Sequence, residues 1–541
     1  MKYRLSGIKT DIDEPMEALP RITAKKAGIR ESDISFFEIR KRSIDSRKKP
    51  HIQFVYAVDF VTDKKLSSCR IKNLAEVDEE AEAAAVRPPE NGTEPLESRP
   101  VVIGAGPCGL FAALELAKAG YKPLLIERGP AMSGRVEAVE RFRKDRVLDP
   151  EANMLFGEGG AGTFSDGKLA TGIKDGLIRK VLAEFRDAGA GDDIMYLAKP
   201  HIGTDVLRSV IVNIRKKIVE LGGEVRFETR VDCIIKSDGR LQALDIYGPH
   251  PETGKLSEYR ISADAVILAV GHSARDTFAM IADAGLSMEQ KPFSIGVRME
   301  HPQSLIDASQ YGEENASRFA GNSAAAELEP GMLAPADYKI SFKTSSGRGV
   351  YSFCMCPGGE VVVCSTAEGE LCVNGMSCRM RDSGTANSGI LCDVRTQDFD
   401  SDDVLAGVRF QEKYERLAFA NGGGDFMPPR CSMKDFLDGT PLSRPVTDSL
   451  PDFASEAIRE AVPHFADRIK GYDDPDAVIT AVETRSSSPV RILRDSSGQS
   501  SVRGIYPAGE GAGYAGGITS AACDGIRAAW HIIERFAPPS G

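Results

Sequence analysis

Hydrophobic and polar positions change character at Pro100. Before it, YRLSGIKTDI, ISFFEIRKRSI and HIQFVYAVDFV place apolar residues at short, strand-like spacing, whereas PMEALPRITAKKAGI spaces them as a helix does. Residues 1–76 therefore read as a small α/β module. Residues 77–99, VDEEAEAAAVRPPENGTEPLESR, are acidic, then Ala-rich, then Pro-rich, the composition of a solvated linker with room for one helical turn. From Pro100 the run VVIGAGPCGLFAALELAKAGYKPLLIERG predicts a short buried strand, a glycine turn, a helix and a second strand, which is one βαβ unit. Two further apolar strands are expected in DAVILAVGHSARD and in RGIYPAGEGAGYAGGITSAACDGIRAAWHII, the latter followed by a glycine loop and a helix.

Gly104, Gly106 and Gly109 form GxGxxG directly after the apolar strand, with Ala105 and Pro107 between them. The first glycine permits the tight turn, the second lets backbone approach a pyrophosphate, and the third lets helix and strand pack closely. The phosphates then face the free N–H groups and positive end of the helix. Glu127 ends the second strand, 18 residues after Gly109, where a carboxylate can accept from ribose hydroxyls; Arg128 follows it.

The fingerprint alone does not choose between FAD and NAD. Three later segments favour FAD. In FGEGGAGTFSDGKL, the glycine density is expected where backbone closely approaches a flat or anionic group, with Gly160, Ala161, Gly162 and Thr163 as contacts. The strand end Ala269-Val270-Gly271 resembles a short segment of two-dinucleotide-fold flavoproteins. The third is Gly509-Glu510, followed by Gly516-Gly517-Ile518 at a helix start; Val231 joins the same contacting set. This order resembles FAD enzymes of the glutathione-reductase-like class. That resemblance implies that the final acid binds the ribityl chain and that the last helix points its N-terminus at the flavin pyrimidine edge, where reduced flavin gathers charge. The acid usual at that turn is Asp, so Glu510 departs from the pattern by one methylene.

RKRSIDSRKK, GEGGAGTFSDGKL, PFSIGVRMEHPQSLID, CMCPGGEVV, NGMSCRMRDSGTANS, ETRSSSPVRILR and YPAGEGAGYAGGI together extend the likeness along the chain. They resemble the largely uncharacterised family of bacterial FAD-dependent dehydrogenases, with geranylgeranyl reductases and fumarate-reductase-type flavoproteins as more distant relatives. The resemblance implies an α/β fold: a Rossmann-like FAD-binding domain interrupted by an α+β substrate or cap domain, with the small α/β module in front. The expected division is 1–76 module, 77–99 linker, 100–290 FAD-binding domain (first part), 291–478 cap and 479–541 FAD-binding domain (C-terminal part). It also implies an oxidoreductase, a reductase or dehydrogenase passing hydride between flavin N5 and a small organic substrate that the sequence does not identify. Flavin monooxygenation is the alternative within enzymes.

Composition narrows the partners. A formal net charge of −11 argues against wholesale nucleic-acid coating, although Arg40, Lys41, Arg42, Arg47, Lys48 and Lys49 could neutralise phosphates in an RNA-acting flavoprotein. The other reading of that cluster is a basic face docked on the acidic remainder of the chain. No apolar run reaches the roughly 18 residues of a membrane span, and the start carries no secretory pattern. With eleven Cys, reduced thiols in a cytoplasmic protein are the simpler expectation. No second GxGxxG lies in a strand–helix setting, so electrons are expected from transient NAD(P)H, a redox protein or the substrate.

Six cysteines (354, 356, 364, 372, 378 and 392) fall within 39 residues of the predicted cap. They read as small buried hydrophobes, as a redox or catalytic thiol at Cys356, or as a metal site. The spacing, without CxxC or interleaved His, fits neither zinc nor ferredoxin patterns, and no metal is expected. Lys168 and His272 are the other catalytic candidates. His201 is a second proton-donor candidate, and Arg485 and Arg491 could hold an anion or pair with structural carboxylates.

Overall fold

The computed structural model describes residues 1–318 and 330–539. The first layer is a four-stranded antiparallel sheet in the order Phe36–Lys48, His51–Val61, Lys2–Asp11, Leu74–Glu76. Alternation along its strands buries Leu5, Ile8, Phe54, Tyr56, Val58 and Phe60 in one cluster that also takes in Leu19 and Ala27 of the helix Leu19–Ala27. Gly7, at φ 71°, carries the one-residue slip between Ser6 and Ile8 that keeps both flanking segments in register.

Three residues of the basic cluster, Arg40, Arg42 and Arg47, are engaged within the chain; Lys41, Lys48 and Lys49 are exposed. Arg42 donates its backbone N–H to the Tyr196 carbonyl at 2.7 Å and accepts from Ala198 N–H at 2.9 Å, and its guanidinium stacks 3.9 Å from the Phe54 ring centroid. Arg40 lies within 3.6 Å of Glu38, Asp59 and Glu82, and Arg47 pairs with Asp45. The module thus docks through Arg42 on the domain that follows. Residues 77–99, expected as a solvated linker, are also tied down. Asp78 caps a helix Glu79–Ala84, Gly92 N–H donates to the Ile533 carbonyl at 2.8 Å, and Ala537 N–H donates to Glu94 O at 2.8 Å.

The second body is a five-stranded parallel sheet in the order Ile505–Pro507, Val266–Leu268, Val101–Ile103, Leu124–Ile126, Glu224–Arg226. Its central strands are apolar on both faces because both faces are covered. The helices Pro107–Lys118, Thr204–Glu220 and Ile518–Arg535 pack on one side. The antiparallel strands Arg230–Ser237 and Arg240–Pro249 supply Ile234, Leu244 and Ile246 to the other.

The third body is a six-stranded antiparallel sheet in the order Ser341–Lys343, Gly349–Cys356, Thr385–Val394, Phe293–Pro302, Val478–Glu483, Arg430–Ser432. Helix Asp452–Ala466 buries Ile458, Val462 and Phe465 against it, and its cluster is continuous with that of the first module. The strand Val478–Glu483 lies at the expected return to the FAD-binding domain, yet it pairs with Phe293–Pro302 inside this sheet. The chain leaves the sheet only after Glu483, which brings that carboxylate to the border of the two bodies. Among the described residues no helix is long and apolar enough to cross a membrane.

Candidate functional site

A cavity of ≈ 390 Å³ runs along the carboxyl ends of the parallel strands and reaches the six-stranded sheet, the position at which open α/β sheets bind ligands. Its first wall is the glycine turn. Gly104 sits at φ 100°, and a Cβ there would overlap the Ala269 carbonyl; a Cβ on Gly109 would overlap the Gly104 carbonyl. Both glycines are internal packing requirements. Gly106 is different: a Cβ there would meet nothing nearer than Gly160 Cα at 3.8 Å, and its free side faces the cavity. Helix Pro107–Lys118 starts at Gly106 with no side-chain cap, leaving its first N–H groups to a ligand or water.

Glu127 is buried beside this turn. Its Oε2 accepts Ala105 N–H and its Oε1 accepts Gly129 N–H, each at 2.9 Å, while burial raises its pKa. The carboxylate therefore braces the glycine loop as well as facing the cavity. At the opposite wall, Gly516 and Gly517 have open space where a Cβ would stand, and helix Ile518–Arg535 begins there, also without a side-chain cap. Glu510 Oε1 lies 3.6 Å from His272 Nδ1. The Nε2 of His272 is buried without a partner, and burial lowers the pKa of the ring.

The glycine-rich loop is organised from behind by Arg135 of helix Met132–Asp145. This fully buried guanidinium donates to the carbonyls of Asn153, Met154, Glu158 and Gly160 at 2.6–3.2 Å. Gly157, Gly159, Gly160 and Gly167 all have positive φ. Part of the glycine density serves the loop's own packing, since a Cβ on Gly159 would overlap Thr163 Oγ1 and one on Gly160 would stand 2.9 Å from Pro107 Cδ.

Of the residues singled out in the sequence for the dinucleotide, Gly104, Gly106, Pro107, Glu127, Arg128, Gly160, Ala161, Gly162, Val231, Ala269, Gly271, Glu510, Gly516, Gly517 and Ile518 line the cavity. Ala105, Gly109, Thr163 and Gly509 stand behind the lining. Thr163, expected as a contact, is fully buried and does not line the cavity; its hydroxyl faces the Glu158 carbonyl at 3.5 Å. Gly509 N–H donates to Asp524 at 2.7 Å, and a Cβ there would press on Cys108. Arg128 is paired with Glu151 and Asp276.

The far end is lined by Lys168, Phe353, Cys354, Asn374, Glu483, Arg485 and Ser486. Cys356, the thiol favoured by sequence, is fully buried behind this wall, and Cys354 takes the cavity position instead. The cause is a bulge between Phe353 and Cys356 that breaks the strand's alternation. Glu483 meets Arg298 at 2.7 Å through both oxygens, and burial raises the carboxyl to about 7. Arg298 also donates to Asn374 Oδ1 at 2.9 Å. Arg485 is held by Glu415 at 2.8 Å, which Arg275 also grips, and Arg491 pairs with Glu289 away from the cavity. Both arginines thus have carboxylate partners of their own. His201 does not line the cavity, and burial lowers its ring to about 3, too low for a proton donor at neutral pH. Cys364 and Cys392 are buried thiols raised to about 12, behaving as small hydrophobes. Among the described residues no group of three or more His, Cys, Asp or Glu is placed to hold a metal.

A Rossmann-like βαβ turn, an acid closing its second strand and a last helix aimed into the same cavity define a flavoprotein class, and the comparisons agree. Residues 292–486 match the family described as FAD-dependent protein, C-terminal domain-like. Residues 102–162 match an NAD(P)-binding Rossmann-like domain, and residues 2–61 match a domain of unknown function. The chain belongs to a family of FAD-dependent proteins that includes an uncharacterized protein of Clostridium beijerinckii, 42% identical over 559 residues and covering 100% of both chains. A fumarate reductase (cytochrome) of Shewanella frigidimarina is 25% identical over 225 residues, 38% of each chain. A geranylgeranyl bacteriochlorophyll reductase-like structure from Thermoplasma acidophilum is 14% identical with a TM-score of 0.34, covering 81% of this chain and 78% of that one. FAD is the cofactor, and the protein is a flavoprotein of oxidoreductase type.

Proposed function

We propose that FAD lies along this cavity, adenosine at Glu127, pyrophosphate at Gly106 and the start of helix Pro107–Lys118, and flavin ring toward Lys168, Cys354 and Glu483. The fit rests on three features: an uncapped helix N-terminus, a glycine whose free side opens on the cavity, and a second uncapped helix start at Gly516–Ile518. Bound there, the cofactor supplies two-electron hydride exchange at N5.

The chain acts in this reading as a reductase or dehydrogenase on a small organic substrate held at the far end. Phe353 gives that end an apolar wall and Asn374 a hydrogen-bonding one. The observation that carries the reading is Glu483: a carboxyl buried at the cavity wall, which burial raises to about 7. Its Oε atoms would hold the proton that a substrate carbon or oxygen takes or gives as hydride moves. Arg298 keeps the carboxyl oriented through both oxygens. No second nucleotide fingerprint is present in the sequence, so electrons come from or go to an external partner, NAD(P)H or a redox protein.

Anaerobic mixing with NADH, NADPH and candidate substrates, followed by absorbance at the flavin band, tests the reading. Bleaching by a donor and recovery with an organic acceptor is the expected result. NAD(P)H-dependent oxygen consumption with hydroxylated product favours monooxygenation instead, a second reading motivated by 27% identity over 225 residues to aklavinone 12-hydroxylase RdmE of Streptomyces purpurascens.

A further inference from the structure

The bulge in strand Gly349–Cys356 singles out one thiol. Phe353 pairs with Gly389 and Cys356 with Asn387, so one strand fits an extra residue against its neighbour. Cys354 absorbs that residue in the left-handed region at φ 42°, a conformation disfavoured for any residue with a Cβ. Bulges re-aim side chains beside active sites. Here Cys354 is turned to the cavity, partly exposed, while Cys356 is buried behind it and its Sγ lies 3.3 Å from the Cys354 carbonyl.

Lys168 crosses from the glycine-rich loop to meet both sulfurs, its Nζ 3.9 Å from Cys354 Sγ and 3.6 Å from Cys356 Sγ, and donates to the Met355 carbonyl. The other charged groups around the thiols are Arg298, Asp166 and Glu483. Arg298 donates to the Cys354 carbonyl at 2.9 Å and is matched by Glu483. Asp166, 3.5 Å from Lys168, is matched by Arg381 at 2.7 Å. Among the described residues, Lys168 is the cation whose ammonium reaches both sulfurs.

The geometry points to Cys354 as a reactive thiolate on the cavity wall, ion-paired with Lys168 and poised to attack a soft carbon electrophile held over the flavin. This builds on the proposed FAD cavity and adds a nucleophile to it. Hydrogen bonding with Cys356, and then the charges of Lys168 and Arg298, hold the Cys354 thiol well below its usual range against the opposing effect of burial; Cys356 is pushed up in turn. Only the ionised sulfur is nucleophilic. With iodoacetamide as probe, the Cys354 sulfur pair forms the S–C bond and iodide leaves with the C–I pair.

The test uses FAD-loaded wild type, C354S, C356S, K168M and K168R. Thiolate absorbance at 240 nm, taken as wild type minus C354S, is followed from pH 5 to 10, and iodoacetamide labelling is mapped by peptide mass. The expected result is a Cys354 thiolate signal that persists below pH 6.5 and a label on Cys354 in wild type. Labelling should change less than about threefold between pH 6.5 and 8.5 in wild type and fall more steeply with decreasing pH in K168M, toward but not beyond the roughly fiftyfold fall of an ordinary thiol, and K168R restores the wild-type profile. A titration step near pH 8.5 in wild type, or label on Cys356 instead, overturns the assignment. Flavin absorbance separates the two readings: yellow protein with an ordinary Cys354 removes the thiolate alone, whereas colourless protein that takes up no FAD removes the cavity assignment. If K168M fails to fold, the wild type minus C354S titration decides by itself.

Discussion

Gly106→Val and Gly109→Ala should fail in opposite ways, although the two glycines belong to one motif. Gly106 has φ −71° and ψ −179°, extended backbone that valine adopts without strain, and the nearest atom to its built Cβ is 3.8 Å away. The folded chain should therefore accept Gly106→Val within about 1 kcal/mol, as surface substitutions usually are. Its methyls would fill the space where a pyrophosphate approaches the helix start. Loss of two charge-assisted hydrogen bonds there costs about 3 kcal/mol or more, over a hundredfold in FAD affinity. At Gly109 a Cβ overlaps the Gly104 carbonyl, a backbone atom that cannot swing aside. That substitution should destabilise the fold itself by about 1–3 kcal/mol or more through overpacking. The assay pairs thermal unfolding of the FAD-free proteins with FAD titration followed by flavin fluorescence. Full FAD retention in Gly106→Val refutes the placement of the pyrophosphate, and an unchanged melting temperature in Gly109→Ala refutes the packing argument.

Glu127→Ala should weaken FAD by about 1–3 kcal/mol, less than Gly106→Val, because the phosphate cradle remains while Ala105 and Gly129 lose their acceptor; isothermal titration reads this. Glu483 is raised to about 7, so it is protonated in mild acid and loses its proton as pH rises through that value. The kcat/KM profile should carry an ionisation near pH 7 that Glu483→Gln removes while FAD stays bound. The sign for stability follows: the folded carboxyl prefers its proton, so its contribution is greatest below the ordinary Glu value of 4.5 and is lost as pH rises toward about 7. Arg135→Met should cost about 3–5 kcal/mol in denaturant unfolding, since it leaves two carbonyls of the glycine-rich loop and two of the segment just before it without their donor.

What the sequence reveals here divides by range. Gly104, Gly106, Gly109 and Glu127 belong to one βαβ unit whose geometry follows from local turn and helix rules, so their roles are legible in the string. Glu483 and Arg298 stand 185 residues apart, and nothing local announces their pairing. That Cys354 faces the cavity, where the sequence points to Cys356, is hidden for a different reason. Strand alternation predicts which side chains share a face, and one bulge reverses that parity. Thr163 illustrates a third limit: glycine density marks a loop that needs freedom, yet Arg135 and the overlap at Gly159 show that much of the need is internal. The same holds for residues 77–99, whose composition is that of a linker but whose backbone is anchored by Ile533 and Glu94.

The most direct test is a crystal structure of the FAD-loaded protein. The account predicts adenosine beside Glu127, pyrophosphate against Gly106, and the isoalloxazine between the start of helix Ile518–Arg535 and the wall formed by Lys168, Cys354 and Glu483. FAD bound in the reverse direction, or outside the cavity altogether, would contradict it.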